Sequence, residues 1–591
     1  MIEIERPVEA NAVGYEWGSD AIALMLRALD LPFVALTPGA SFRGLHDSLV
    51  NALGNRAPQM LLCLHEESAV SLAHGYAKVT GKPLGVILHS NVGLMHATMA
   101  IFNAWCDRMP MLILGATGPI DATRRRPWVD WIHTARDQAA MIRHYTKWDD
   151  LPASVPAAHE AMLRAAMMTS TPPCGPVYVC LDAGMQEARH EMTAPVPSPA
   201  RFQPPPAPVP SRDLVKRAAE MLTAAKSPLI LMGRVSRSET GWQERIALAE
   251  RLGATVLTDL KTAAAFPTDH PLHGAPPGLL VRPEALECVR KADVVLSLDW
   301  VDLAGTLMQA WPDRDCPAKV IQASLDLYIH NGWSMDHQAL PPIDIALMGD
   351  PDAVVTLLLE ELSKGTKRAA PKAAARAIPG YRPTGAKEIG MPDLAAALAN
   401  ATRGRDVSLI RLPLGWSGEL WHFRHPLEYL GCDGGGGIGG GPGMAVGAAL
   451  ALQGRGRLPI AILGDGDHLM GVTALWTAAH YRIPLLTIVA NNQSFFNDEV
   501  HQERVARQRG RPVGNRWIGQ HIGDPDIDHA TLARGQGLIG IGPVHDPAEL
   551  AGRLAEAVVA VEDGASVVVD VRVKPGYTFA MEKSLTRDRE S

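Results

Sequence analysis

The sequence predicts an α/β protein made of three doubly wound, parallel-sheet domains. Three observations predict it: the length, the alternation of apolar and amphipathic segments, and two proline- and alanine-rich breaks. At 591 residues the chain has room for about three to five domains, each with its own core. Short apolar runs alternate with amphipathic stretches, the pattern of strand–helix–strand units. The breaks set domains at 1–190, 212–362 and 390–575, with linkers at 191–211 and 363–389 and a charged tail at 576–591. In the first domain Leu84–Leu88, Met111–Leu114 and Pro176–Leu181 read as buried strands. The second offers Pro228–Met232 and Ala292–Leu298, and the third Pro459–Leu463, Pro484–Ala490 and Ser566–Val571.

Composition narrows the function class. A hydrophobic fraction of 47% with 20% charged residues excludes a disordered chain. A net charge of −7 and short basic runs give no footprint for nucleic acid, and 5% aromatics leave little for base stacking. Seven scattered cysteines without a C-x-x-C pair point to a reduced, cytoplasmic setting rather than a disulfide framework or zinc site. The acidic start Met1-Ile-Glu-Ile-Glu does not read as a signal peptide, and no apolar run of about 18 residues predicts a membrane span.

The chemistry concentrates in three motifs. In Gly464-Asp465-Gly466, Asp465 closes one predicted strand; Leu469–Arg482 suits a crossover helix, and Asn491-Asn492 closes the next strand. A right-handed βαβ unit brings both strand ends to the carboxyl edge of the sheet, where such sheets bind ligands. A carboxylate and an amide 27 residues apart thereby converge as hard oxygen ligands for Mg²⁺ or Ca²⁺, with diphosphate oxygens to complete the shell. Gly464 and Gly466 let the backbone approach a phosphate. Either piece alone would read as a turn or a strand end. The second motif, Gly434–Gly443, holds eight glycines in ten residues and opens a helical pattern at Met444. It lacks the strand before it and the acidic residue after it that a dinucleotide fingerprint needs. The third is His65-Glu66-Glu67 at the start of a helix, followed by Ala73-His-Gly-Tyr-Ala77. Two glutamates there would also complement a helix dipole.

Together these motifs resemble the thiamine-diphosphate enzymes related to pyruvate decarboxylase. The resemblance covers nearly the full length and implies pyrimidine-binding, middle and diphosphate-binding domains in that order. It implies Asp465 and Asn492 as Mg²⁺ side-chain ligands, with the Ser494 carbonyl as backbone ligand. It also implies Ile438 as the apolar support that bends the cofactor and Gly436 as acceptor from its 4′-amino group. Glu66 matches the glutamate that activates the aminopyrimidine, so that the thiazolium becomes an ylide able to attack a carbonyl. In the family this glutamate and the metal site meet across a dimer interface, often within a tetramer.

Within that family, Leu88-His89-Ser90-Asn-Val-Gly93, Asn103-Ala-Trp105, Lys147–Ser154 and Ala474–Pro484 resemble benzoylformate decarboxylase more than acetolactate synthase. His89, 23 residues after Glu66, matches that decarboxylase's active-site histidine and suits proton transfer near neutral pH. Several positions depart from it. Ala40 stands where a substrate-binding serine is expected, with Ser41 one place later. The stretch 299–306 offers no second histidine. Asn497 and His501 replace an apolar substituent pocket, and Asp498 falls where simple pyruvate decarboxylases carry a catalytic carboxylate. The loop Asp121–His133 looks longer than usual. It reads either as a solvated loop or as an anion-steering wall of Arg124–Arg126, Trp128 and Trp131; the tail reads as a lid or as disorder.

The expected function is a thiamine diphosphate- and Mg²⁺-dependent lyase acting on a small-molecule 2-keto acid or related carbonyl, by decarboxylation or carboligation. Nucleic acid and membrane are not expected as partners; a homodimer or homotetramer is. The alternatives are an acetolactate synthase-like ligase, a 2-hydroxyacyl-CoA lyase, and, in another class, a non-catalytic protein that keeps the fold for binding.

Overall fold

Among the described residues sixteen strands lie in three separate sheets, and every ladder between them is parallel. The structure, a computed structural model, describes residues 4–7, 15–190, 195–312, 315–326, 340–363 and 387–576. The expected linker at 191–211 lies partly outside these residues, that at 363–389 mostly so, and the tail beyond Gly576 wholly so.

The first sheet contains β1 (Phe33–Leu36), β2 (Gln59–Leu62), β3 (Gly85–Leu88), β4 (Met111–Thr117), β5 (Asp149–Asp150) and β6 (Pro176–Asp182), in the order β2-β1-β3-β4-β6-β5. The second contains β7 (Pro228–Met232), β8 (Thr255–Thr258), β9 (Val294–Leu298), β10 (Lys319–Ala323) and β11 (Ile345–Leu347), ordered β11-β10-β9-β7-β8. The third contains β12 (Val407–Arg411), β13 (Leu458–Gly464), β14 (Leu485–Asn491), β15 (Ile539–Val544) and β16 (Ser566–Arg572), ordered β12-β13-β14-β16-β15. The central strands β4, β6 and β14 are buried along their whole length, as a parallel sheet covered by helices on both faces requires. That is why their sequences read as continuous apolar runs rather than alternating ones. The three sheets are the three doubly wound domains that the apolar runs predict.

One expected element differs. The crossover between β13 and β14 is not one helix over 469–482 but two short ones, Asp465–Met470 and Ala474–His480. The break sits at Gly471, where a Cβ would lie 2.1 Å from the Gly439 carbonyl oxygen. The glycine-rich run presses on the crossover there, and a continuous side-chain-bearing helix would exclude it. Asp465 accordingly opens a helix instead of closing a strand.

The first and third domains share one hydrophobic core. Its centre is the contact between the helices Glu66–Thr80 and Gly441–Leu452. A Cβ on Gly75 would lie 2.0 Å from the Met444 carbonyl oxygen, and one on Gly447 would lie 1.8 Å from that of Leu72. The two backbones therefore touch, and only glycine fits at either point. Buried charges fasten the rest. Lys78 pairs with Asp107 at 2.7 Å and donates to the carbonyls of Leu430 and Cys432 in the third domain. Arg108 and Arg234 converge on Asp326, joining the first and middle domains. Gly75→Ala is expected to destabilise the chain by about 1–3 kcal/mol, the cost of overpacking a filled core. A thermal melt lowered by several degrees would show it, and an unchanged melt would mean the helices can separate freely.

Candidate active site

The sequence-predicted residues of the first domain gather at the carboxyl ends of adjacent strands. Ser41 follows β1, Glu66 follows β2, His89 follows β3, and the loop 118–137 follows β4. With the order β2-β1-β3-β4, these lie beside the point where the strand order reverses, the usual crevice of an open α/β sheet. His65 caps the Glu66–Thr80 helix, its Nδ1 accepting from the Glu67 amide at 3.1 Å. Glu66 is buried, and its carboxylate Oε2 lies 3.0 Å from His96 Nδ1.

His89 caps the helix Ser90–Cys106 without using its side chain for the cap. Its Nδ1 lies 2.9 Å from the Ser41 hydroxyl, and the Ser41 amide points to the same nitrogen at 3.4 Å. An N–H facing Nδ1 makes that nitrogen the acceptor, so the proton of the neutral ring sits on Nε2. Burial holds the His89 pKa down, with His133 adding to the effect and Glu66 opposing it. The two rings lie 4.7 Å apart. Gly39 leaves the space that the His89 ring fills, since a Cβ there would lie 2.2 Å from it. Ser90, directly after His89, holds φ at +43°, a strained value of the kind that clusters at functional sites.

The third domain brings its own set together. Asp465 Oδ2 and Asn492 Oδ1 both accept from the Ser494 amide, at 3.2 and 3.0 Å. Gln493 between them takes φ +58°, the second strained residue beside a candidate ligand. Burial pushes the Asp465 carboxyl up to about 6, against the backbone N–H groups of Gly466, Gln493 and Ser494. Among the described residues no lysine or arginine pairs with Asp465. A buried carboxylate with only amide donors, beside a side-chain amide oxygen, is a donor set that fits a hard divalent cation. Gly466 gives room to the Phe495 ring, where a Cβ would lie 2.5 Å from it, while nothing crowds Gly464.

Asp467, two residues on, faces the other way. It accepts from the Gly439 amide at 2.7 Å and the Gly441 amide at 3.3 Å, and Arg411 bridges it to Asp433. The glycine-rich run is thus held at its far end by Asp467. It is held in its middle by Asn103, which accepts from the Gly435 amide and donates to the Gly437 carbonyl. Gly436 is exposed, has φ +71° and has no neighbour where a Cβ would project; Ile438 is half-buried.

Other expectations fare differently. Ser41 is engaged with His89 rather than free to meet a carboxylate. Asn497 and His501 sit half-buried, one turn apart, at the start of the helix Phe496–Gln508, and Asp498 is exposed beside them. No described hydrogen bond or ion pair joins these three to Glu66 or His89. Of the arginines read as steering an anion, Arg126 pairs with Asp130 at 2.8 Å and Arg125 turns onto the carbonyls of Pro119 and Ile120. Trp128 and Trp131 stay 69% and 75% exposed.

Sequence reasoning missed His96, His133, Glu499 and Arg411. His96 lies seven residues after His89, two turns along one helix face, which is the signal that could have found it. Glu499, buried against the Ser494 hydroxyl and Arg516, carries no such signal.

Comparison with known proteins matches three family models in order. They are the N-terminal thiamine pyrophosphate-binding domain over residues 16–141, the central domain over 215–358 and the C-terminal thiamine pyrophosphate-binding domain over 413–571. Benzoylformate decarboxylase of Pseudomonas aeruginosa is 27% identical over 507 residues, covering 81% of this chain and 85% of that protein. A probable 2-ketoarginine decarboxylase of the same organism is 28% identical over 466 residues, covering 76% and 78%. The acetolactate synthase large subunit of Corynebacterium glutamicum is 25% identical over 547 residues, covering 89% and 82%. In fold, the solved thiamine diphosphate-dependent 4-hydroxybenzoylformate decarboxylase of Rhodococcus jostii RHA1 superposes with a TM-score of 0.76 at 22% identity, covering 95% of this chain and 100% of that one.

Because a cation must displace the Asp465 proton, Mg²⁺ affinity is expected to be level above pH 7. Below about 6 it should fall roughly tenfold per unit. Calorimetric titration between pH 5 and 8 checks this, and Asp465→Asn should abolish binding across the range. Retained affinity in that variant would remove Asp465 from the site.

Proposed function

From the premise that this chain belongs to the thiamine pyrophosphate enzyme family, we propose that it is a Mg²⁺-dependent 2-keto acid decarboxylase or carboligase. When bound, thiamine diphosphate supplies the electron sink for the pair left behind by departing CO₂. Asp465, Asn492 and the Ser494 carbonyl would hold Mg²⁺ against the diphosphate. Gly464 and Gly466 would let the backbone approach it, Ile438 would support the cofactor's bend and the Gly436 carbonyl would accept from its amino group. Glu66 would be the carboxylate that holds or gives up a proton beside the aminopyrimidine.

The observation that carries the reading is the His89 tautomer. Ser41 takes up Nδ1, so Nε2–H remains as the donor at the strand-end crevice that also holds Glu66. The protonated ring would be the general acid that protonates a carbanion-like carbon through Nε2, and the neutral ring the base that recovers the proton. Its lowered pKa keeps the neutral ring as the resting form and makes the protonated ring the stronger acid.

Two further parts of the proposal concern the assembly and the substrate. Among the described residues Glu66 makes no hydrogen bond or ion pair to the third domain, and the half-site around it is flanked by exposed Leu64, Val92 and Met95, with Met470 exposed beside the glycine run. A homodimer or homotetramer that sets one subunit's Glu66 against another's Asp465 would cover these apolar side chains and complete the site. No helix among the described residues is long and apolar enough to cross a membrane, and the seven scattered cysteines without a C-x-x-C pair suit a reduced cytoplasmic setting. Asn497, Asp498 and His501 favour a polar or cationic 2-keto acid over a plain aryl one. The relative named for 2-ketoarginine supports that choice, and the acetolactate synthase relatives keep carboligation within the proposal.

The test is a screen of 2-keto acids and 2-hydroxyacyl-CoA thioesters, with and without aldehyde acceptors, recording CO₂ and carbon products. Glu66→Gln is expected to lower turnover by about a hundredfold or more, and His89→Ala by a similar factor, on the scale of general acid–base contributions. Turnover of polar keto acids that vanishes in Glu66→Gln supports the reading. Micromolar binding of benzoylformate-like acids would overturn the polar-substrate part. A protein that binds thiamine diphosphate yet turns over nothing would favour a non-catalytic binding role.

A further inference from the structure

His96 stands out because, among the described residues, it alone holds the carboxylate of Glu66. Oε2 of Glu66 meets His96 Nδ1 at 3.0 Å, while Oε1 lies against Gly93, where a Cβ would come within 3.3 Å. The His96 ring stacks on His65, with centroids 5.0 Å apart and planes 19° from parallel. His65 in turn accepts the Glu67 amide at Nδ1, so its neutral ring carries the proton on Nε2. Burial also keeps His65 from becoming charged, His96 adding to that and Glu66 opposing it.

His65, Glu66 and His96 have the make-up of a metal tripod, with ligand atoms within 4.8 Å of one another. The tautomer argues against that use. To ligate through Nε2, His65 would have to move its proton to Nδ1 and surrender the helix cap. His65 is better understood as a neutral platform that fixes the His96 ring in front of Glu66.

The imidazole nitrogen and the carboxylate oxygen share one hydrogen bond. Glu66 is buried and has no other polar partner among the described residues, whereas the His96 side chain is 52% exposed in the single chain. The titratable groups that meet His96 are Glu66, through that bond, and His65, through the stacked ring. Glu67 faces Gly439 and the aspartates 433 and 467 instead.

We infer that His96 is a positioning residue that holds the Glu66 carboxylate in the cofactor-free protein and must release it for thiamine diphosphate to bind. The inference rests on the role proposed for Glu66. The 3.0 Å bond has to be given up before the carboxylate can turn to the cofactor, so its strength is subtracted from the binding free energy. Removing the His96 side chain should therefore tighten cofactor binding.

The experiment is calorimetric titration of the full-length protein with thiamine diphosphate at saturating Mg²⁺. The unmodified protein is compared with His96→Ala and His96→Phe, neither of which can hydrogen-bond the carboxylate. Both variants are expected to bind about three- to tenfold more tightly than the parent, the range of one hydrogen bond no longer given up. Unchanged or weakened affinity in both would overturn the role of His96 while leaving the cofactor reading intact. Absence of thiamine diphosphate binding in every protein would overturn the cofactor reading itself, and this inference with it. Because His96 is half-exposed, both variants should melt within a few degrees of the parent; a variant that does not is replaced by the other.

Discussion

The backbone contact between the helices Glu66–Thr80 and Gly441–Leu452 is the constraint on which the rest depends. Gly75 and Gly447 remove the side chains that would keep the two helices apart. The functional segments sit at the starts of these helices: Glu66 opens one and the glycine-rich run leads into the other. Because the helices touch near their starts, Glu67 and Gly439 become neighbours, and the first domain's Asn103 reaches the run to pin Gly435 and Gly437. Loosening that contact would move two site elements at once, although neither glycine touches a reacting group.

Electrostatics then divides the labour between like residues. Asp465 and Asp467 are two places apart, yet only the second is taken up by scaffolding. Asp467 is engaged by Arg411 and two glycine amides, so it fixes the run. Asp465 receives only backbone N–H groups and is left with its carboxyl pushed up to about 6, a buried charge that a divalent ion would stabilise. The same contrast separates Glu66 and Glu67. The first faces His96 at the crevice, while the second faces the run and is held protonated more readily by burial, then by Asp467 and Asp433.

Histidines line the strand-end crevice of the first domain, and each is placed differently. His65 caps a helix, His96 meets the buried carboxylate, His89 meets Ser41 through Nδ1, and His133 lies against it. Their roles follow from which ring nitrogen is already taken, a matter of one neighbouring amide or hydroxyl in each case. Replacing the neighbour would change the role without changing the histidine.

The sequence by itself determined the three parallel sheets and the pairing of Asp465 with Asn492. Parallel strands buried on both faces read as apolar runs, and the fixed hand of the βαβ crossover sends consecutive strand ends to one edge. Glu66 and His89 were legible through the resemblance of the segments around them to one enzyme family. Only the tertiary structure decided which side chains meet across that edge. It set His96 on Glu66, His133 beside His89, Ser41 on the His89 ring and Arg411 between two aspartates, and it broke the crossover helix at Gly471. These meetings depend on strand order and on how closely two helices approach. His96 apart, which shares a helix face with His89, residues brought together in that way share no sequence period, so no spacing along the chain announces them.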